Sequence, residues 1–257
     1  MNRRRLLLGA VGLAACPLCA GFASQTARAA EGHGSWSYEH GHGPAAWGQL
    51  DPAYAACSAG TQQSPIDLRD AVTADLPPAA IAWRPIGLSE IVHNGHTIQV
   101  NTSGGGGMQL DGAGYDLLQF HFHHMSEHTM DGRQFPLEVH FVHKASDGQG
   151  LAVVGVFFEE GAANPVLAPI WAAMPMRKGE AAGSGTIDPA GLLPASRAAF
   201  RYAGSLTTPP CSEVVAWTVM KQPVTASAEQ IGRFAKLFPN NFRPVQPLNR
   251  RFLLSTD

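Results

Sequence analysis

The sequence is poor in charge, in cysteine and in long apolar runs. Only 15% of its 257 residues are charged, and 18 basic against 20 acidic residues leave a formal net charge of −2. Such a near balance offers no basic excess with which to hold nucleic acid or an acidic membrane surface. The apolar run nearest the N-terminus, Leu6 to Ala15, is too short to remain in a bilayer as a permanent anchor. There is no internal repeat and no interdomain linker. Four cysteines are present, and none lies in the histidine-rich stretch described below.

What is there suits an all-β chain. Hydrophobic residues make up 45%, enough for a large core, and 28 glycines and 19 prolines fit many short strands joined by turns. A chain of this length can form one domain when it is mostly strand.

The first 30 residues read as an export signal. Arg3, Arg4 and Arg5 precede the apolar run, and small residues follow at Ala27-Arg28-Ala29, where cleavage is expected. The arginine pair before leucines also fits twin-arginine export, and "LAAC" ending at Cys16 fits lipoprotein processing as the alternative. Loss of residues 1–30 removes four basic residues and no acids, which leaves 14 against 20 and a charge of −6. The expected location is the periplasm or the outside of the cell, with no transmembrane segment in the mature protein. Cys16 and Cys19 lie in the signal. Cys57 and Cys211 lie in the mature part, where an oxidising compartment permits them to pair. Two separate buried thiols are the other reading. A crosslink closing so long a loop is worth about 4–5 kcal/mol in the chain-entropy model.

Residues 31–60 read as an irregular segment rich in aromatics and glycine. The clearest strands are "HTIQVN" (96–101), "YDLLQFHFHH" (115–124), "LEVHFVHK" (137–144), "LAVVGVFFE" (151–159) and "EVVAWTVMK" (213–221). "SGGGG", "DGRQ" and "SDGQG" punctuate them as turns. Helices are expected around 164–174 and over 227–238, the latter with Ser227 as N-cap.

Residues 119–143, "QFHFHHMSEHTMDGRQFPLEVHFVH", hold six of the 11 histidines. Alternation along a strand puts His121 and His123 on one face and Phe120, Phe122 and His124 on the other. On the next strand Glu138, His140 and Val142 share a face, opposite Leu137, Val139, Phe141 and His143. An antiparallel pairing centred on Asp131-Gly132 sets His123 opposite His140, so three imidazoles converge on one face of a sheet. Three nitrogen ligands with a fourth position open describe catalytic zinc, and the lack of sulfur argues against a structural zinc or iron–sulfur site. Gln119 and Glu138 are candidate acceptors for the ligands' second nitrogens. His124 and His143 read as structural, and His128 as a hydrogen-bonding core residue. A rival reading takes His121-x-His123-x3-Glu127 as half of a cupin motif with Glu127 as fourth ligand. That pattern then wants glycine where Gln134 and Glu138 stand.

Blocks along the rest of the chain resemble the α-class carbonic anhydrases, in the branch that bacteria export. They are "WSYEHGHGPAAWG" (36–48), "QSPIDL" (63–68), "NGHTIQV" (94–100), "QFHFHHMSEHTMDG", "LEVHFVHK", "GSLTTPPCSEVVAW" (204–217) and "NFRPVQPLNRR" (241–251), in family order. The resemblance implies a mainly β single domain over 31–257, with a central, mostly antiparallel twisted sheet, a few short surface helices and a conical cleft. It implies zinc on His121, His123 and His140, with Glu127 outside the ligand set. The reaction implied is reversible hydration of carbon dioxide by hydroxide on zinc. Zinc lowers the pKa of its water to about 7, an effect for which carbonic anhydrase is itself the standard example.

The same resemblance gives the remaining roles. Thr207 would orient the hydroxide by donating its own proton to Glu127, and Thr208 would touch bicarbonate. Val142, Val153, Leu206, Val215 and Trp217 would form the pocket for carbon dioxide. His96 would shuttle protons, because an imidazole titrates near neutrality. Tyr38, Asn94 and Gln99 would hold water between His96 and the metal. His124 and Phe242 stand where tryptophan is frequent, away from the metal face. His33, His40 and His42 are expected at the surface as accessory proton carriers. A zinc-binding module without catalysis on the same fold is the alternative function. The expected assembly is a monomer or homodimer acting on a small-molecule substrate.

Overall fold

Among the described residues thirteen strands pair in one large sheet, and two of its three longest members carry the clustered histidines. The computed structural model describes residues 35–256 other than 89. The expected export signal with Cys16, Cys19 and Ala29, and also His33, lie outside the described residues. We label the principal strands β1 (Ala80–Trp83), β2 (Ile91–His93), β3 (Ile98–Asn101), β4 (Gly106–Leu110), β5 (Ala113–His123), β6 (Leu137–Ala145), β7 (Leu151–Glu160), β8 (Ala199–Gly204) and β9 (Val215–Met220). The main order is β2-β3-β5-β6-β7-β9-β8, antiparallel except for the parallel β7–β9 pair. The five strands expected from alternation are all present, with ends displaced by one or two residues. No helix among the described residues is long and apolar enough to cross a membrane.

β6 and β7 sit in the middle of the sheet and are buried on both faces, which is why they read as nearly continuous apolar runs. One face packs Phe120, Phe122, Val139 and Phe141 against the helices α1 (Leu167–Ala172) and α2 (Ala228–Ala235) through Ile170, Trp171, Ile231 and Phe234. The other face carries Val142, Val153, Phe157 and Trp217, and the metal-type histidines lie beside them. Ser227 caps α2 as expected. Its hydroxyl accepts from Gln230 N at 3.2 Å, and Gln230 Oε1 accepts from Ser227 N at 3.1 Å.

The register between β5 and β6 corrects the expectation. His140 stands opposite His121, and Glu138 stands opposite His123. Asp131 and Gly132 do form a tight turn, with φ of 50° and 78°. That turn, however, joins two short strands, Thr129–Met130 and Arg133–Gln134, which pair with each other outside the large sheet, the first also pairing with Asp67–Leu68. The centre of the large pairing is therefore not the centre of the turn. A shift of two residues preserves the face of every side chain, so the three imidazoles still converge.

His143 lies on the opposite face, as expected, and is fully buried. Its Nε2 accepts from Trp83 Nε1 at 2.9 Å and its Nδ1 donates to Ala152 O at 3.2 Å, so the neutral ring is satisfied. Burial pushes its pKa down to about 4. An unfolded chain titrates this group near 6.5, so it binds more protons than the folded chain between those values. The stabilisation is complete above pH 6.5 and is lost as pH falls towards 4, by about 3 kcal/mol. Urea unfolding at several pH values should show His143→Gln losing that part of the pH dependence. A slope unchanged by the substitution would refute the assignment.

Candidate metal centre and its cavity

Each histidine of the cluster has one nitrogen committed and one left free. His121 Nδ1 donates to Gln119 Oε1 at 2.9 Å. His123 Nδ1 donates to the carbonyl of Asn241 at 2.7 Å. His140 Nε2 donates to Glu138 Oε1 at 2.9 Å. These bonds set the tautomers, leaving lone pairs on Nε2 of His121, Nε2 of His123 and Nδ1 of His140. The three residues offer ligand atoms all within 4.8 Å of one another. His123 Nε2 is buried without a hydrogen-bond partner, which is costly unless a cation uses its lone pair. Burial and the neighbouring imidazoles lower the pKa of His121 and His123, which keeps them in the neutral form that binds metals.

A second group, His128, Glu138 and His140, is also compact enough to hold an ion. Its donors and acceptors are already used up. Glu138 Oε1 accepts from His128 Nδ1 at 2.8 Å as well as from His140, and Oε2 accepts from the backbone of Glu127 and His128 at 2.9 Å. His128 Nε2 completes the chain to Tyr202 Oη at 2.6 Å. Burial alone would raise the carboxyl pKa. Attraction to the two histidines outweighs it and holds Glu138 well below the usual carboxylate range. In return Glu138 outweighs the effect of burial on His140 and makes that ring more basic, hence a stronger donor to a metal. Opposite His140 on β7 stands Gly155, where a Cβ would come 3.0 Å from Glu138 Oε1.

Glu127 is buried beside the ligands. Its Oε1 accepts from Arg243 N at 2.8 Å. Its Oε2 lies 3.6 Å from His123 Nε2 and 3.8 Å from His140 Nδ1, too far to bond either, and has no partner among the described residues.

The histidines open into a cavity of about 170 Å³. Val142, Val153, Leu206 and Trp217 line it, with Thr207 and Thr208. Val215 does not. It is buried in the same apolar cluster and lines a different cavity. Tyr38, Asn94, Gln99 and His96 are on the metal cavity's wall, joined by Trp36 and Thr97, which the sequence reading missed. The His96 ring stacks on Trp36, centroids 3.7 Å apart and planes 9° from parallel. Burial, with Lys178 and His93 nearby, pushes its pKa down to about 4. That corrects the expectation of a group titrating near neutrality in this position. His40 and His42 are exposed, as expected. His124 turns away from the cluster and bonds Pro239 O at 2.7 Å. Cys57 and Cys211 are joined in a disulfide.

The chain as a whole is similar to known proteins. The family described as eukaryotic-type carbonic anhydrase matches residues 42–256. The chain belongs to that carbonic anhydrase family. A carbonic anhydrase of Pectobacterium carotovorum is 48% identical over 221 residues, covering 85% of this chain and 90% of that one. The α-carbonic anhydrase of Thermovibrio ammonificans, solved with the inhibitor sulfanilamide, superposes with a TM-score of 0.84 at 46% identity, covering 87% of this chain and all of that one. That of Photobacterium profundum gives 0.81 at 43%, over 86% and 100%. The chain is thus a carbonic anhydrase, and its reaction is the reversible hydration of carbon dioxide to bicarbonate and a proton.

Asn241 and Arg243 were also missed from the sequence. Asn241 holds His123 through a backbone carbonyl, which any residue supplies, while its side-chain amide accepts from His124 N and donates to His96 O and Phe122 O. Both lie in the "NFRP" block, whose match to the family was the one available pointer.

Proposed function

We propose that residues 31–257 form an exported carbonic anhydrase whose zinc is held by His121, His123 and His140. The observation that carries the metal is the set of three converging imidazoles, each tautomer set by an outer acceptor, with His123 Nε2 buried and unpartnered. An all-nitrogen donor set of three is the chemistry of catalytic zinc. Zinc bound there supplies Lewis acidity and, at neutral pH, hydroxide as the nucleophile.

The protein's own groups do the rest. Glu127 Oε2 is a buried acceptor in need of a donor, and the Thr207 hydroxyl on the metal cavity's wall would supply one. With zinc bound, the Thr207 oxygen would accept the proton of the hydroxide nucleophile and so orient it towards carbon. Val142, Val153, Leu206 and Trp217 give carbon dioxide an apolar wall, and Thr208 meets the bicarbonate formed. Protons leave by water held on Tyr38, Asn94 and Gln99 to His96. Stacked on Trp36, His96 is a weak base, so proton carriage requires the ring to leave that stack for solvent. The disulfide and the N-terminal signal together support export to an oxidising compartment.

The test is carbon dioxide hydration by protein stripped of metal and then given one equivalent of zinc. Activity should return with zinc. Tight zinc binding without hydration would favour the non-catalytic module. Glu127→Gln distinguishes the outer role from the ligand role. It should keep stoichiometric zinc and lose about 10- to 100-fold in rate. Loss of the metal itself would make Glu127 a ligand.

A further inference from the structure

Two backbone groups reach His123 and Glu127 from outside the sheet, and they lie two residues apart. The carbonyl of Asn241 accepts from His123 Nδ1 at 2.7 Å, and Arg243 N donates to Glu127 Oε1 at 2.8 Å. Residues 241–248 form neither helix nor strand, so no ladder of backbone bonds fixes them. Side chains do so instead. Asn241 Oδ1 accepts from His124 N at 2.8 Å, and its Nδ2 donates to Phe122 O at 2.9 Å and His96 O at 3.0 Å. Two residues on, Arg243 Nη1 donates to Gln63 Oε1 and to Ser64 O, both at 2.8 Å, and Nη2 donates to Cys57 O at 2.7 Å. The guanidinium carbon lies 5.7 Å from the centre of the Trp47 ring.

Arg243 is only 1% exposed, every acceptor on its guanidinium is neutral, and Nε has no partner among the described residues. Burial pushes its pKa down to about 10, which leaves it charged at neutral pH, and attraction to Glu127 offsets the burial only in part. A charge buried with no carboxylate bonded to it is costly. Three converging acceptors call for the planar fork of arginine, which lysine cannot supply. What the fork secures is a fixed backbone at Arg243 N. With Oε1 of Glu127 held there, Oε2 is left for Thr207. We propose that Arg243 is a positioning residue for carbon dioxide hydration: its guanidinium anchors residues 241–243, and these set the carboxylate plane of Glu127 and the ring of His123. This role deepens the zinc-hydroxide reading above and rests on it.

Arg243→Lys keeps the charge and loses the fork. In the zinc-loaded full chain it should retain stoichiometric zinc while kcat/KM for carbon dioxide falls about 10- to 100-fold, since a misplacement of about 1 Å can cost that much. The Nδ1–H proton resonance of His123 should shift, and zinc should pass to a chelator about tenfold faster. Arg201→Lys is the control. Arg201 is a buried arginine of β8, 6% exposed, that pairs with Asp111 and makes no bond to residues 241–243. Its replacement should lower stability in urea and leave kcat/KM and the His123 resonance alone. An unchanged kcat/KM or an unmoved resonance in Arg243→Lys, or the same changes in Arg201→Lys, would overturn the proposal. Should Arg243→Lys not fold, Gln63→Met removes one acceptor of the fork and is read by the same resonance, where no shift would overturn the proposal. The other bonds of Gln63, from Nε2 to Cys211 O and Glu213 Oε1, lead away from His123. An inactive zinc-loaded parent would refute the underlying reading and this proposal with it; an active parent with an unchanged Arg243→Lys refutes this proposal alone.

Discussion

His123→Ala is expected to leave the protein folded, unable to retain zinc, and no faster than buffer in carbon dioxide hydration. The loss should be roughly 10³-fold or more, since hydroxide at neutral pH depends on the metal. His123 is the most informative of the three ligands because its free nitrogen is buried and has no other partner. The substitution leaves Asn241 with a carbonyl that lost its donor, and Glu127 Oε2 without its nearest imidazole, 3.6 Å away. Zinc content by atomic absorption and hydration by a pH-indicator assay should fall together. His124→Ala is the matched control. It is adjacent in sequence but bonds Pro239 O, so it should keep both metal and rate. Full zinc content in His123→Ala would sink the assignment.

The second large effect is on stability. Cys57→Ser/Cys211→Ser should unfold with about 4–5 kcal/mol less free energy than the parent, measured in urea under identical pH and zinc. The two cysteines are separated by 154 residues, so their bond removes a large share of the unfolded chain's freedom. Locally the bond joins a short helix, Ala56–Ala59, to the loop that carries Thr207 and Thr208. Cys211 N donates to Thr208 O at 2.9 Å, and Cys211 O accepts from Gln63 Nε2 at 3.1 Å. The variant should therefore lose activity on mild heating before it loses the large sheet. A loss under about 1 kcal/mol would mean that the unfolded chain is already held together by other means.

How far the sequence was legible depends on the range of the physics involved. Alternation along a strand is a local rule, so "QFHFH" and "LEVHFV" assigned His121, His123 and His140 to one face without reference to any partner strand. The same rule put His143 on the other face, where it is found against Trp83. Register is not local. It failed by two residues because the segment between β5 and β6 spends its turn on a separate small sheet. Val215 shows a related limit: it packs in one cluster with Val142, Val153 and Trp217, and an apolar residue near a cavity wall and one on it look alike in sequence.

The sequence by itself determined the identity of the three donors, the strands that carry them and the pair of cysteines able to bond. Each of these follows from residue chemistry or from a period of two. Only the tertiary structure decided which nitrogen each imidazole presents, because that depends on acceptors such as the Asn241 carbonyl, 118 residues away from His123. It also decided that His96 rests on Trp36 with a depressed pKa, because burial belongs to the folded surface and not to any residue alone.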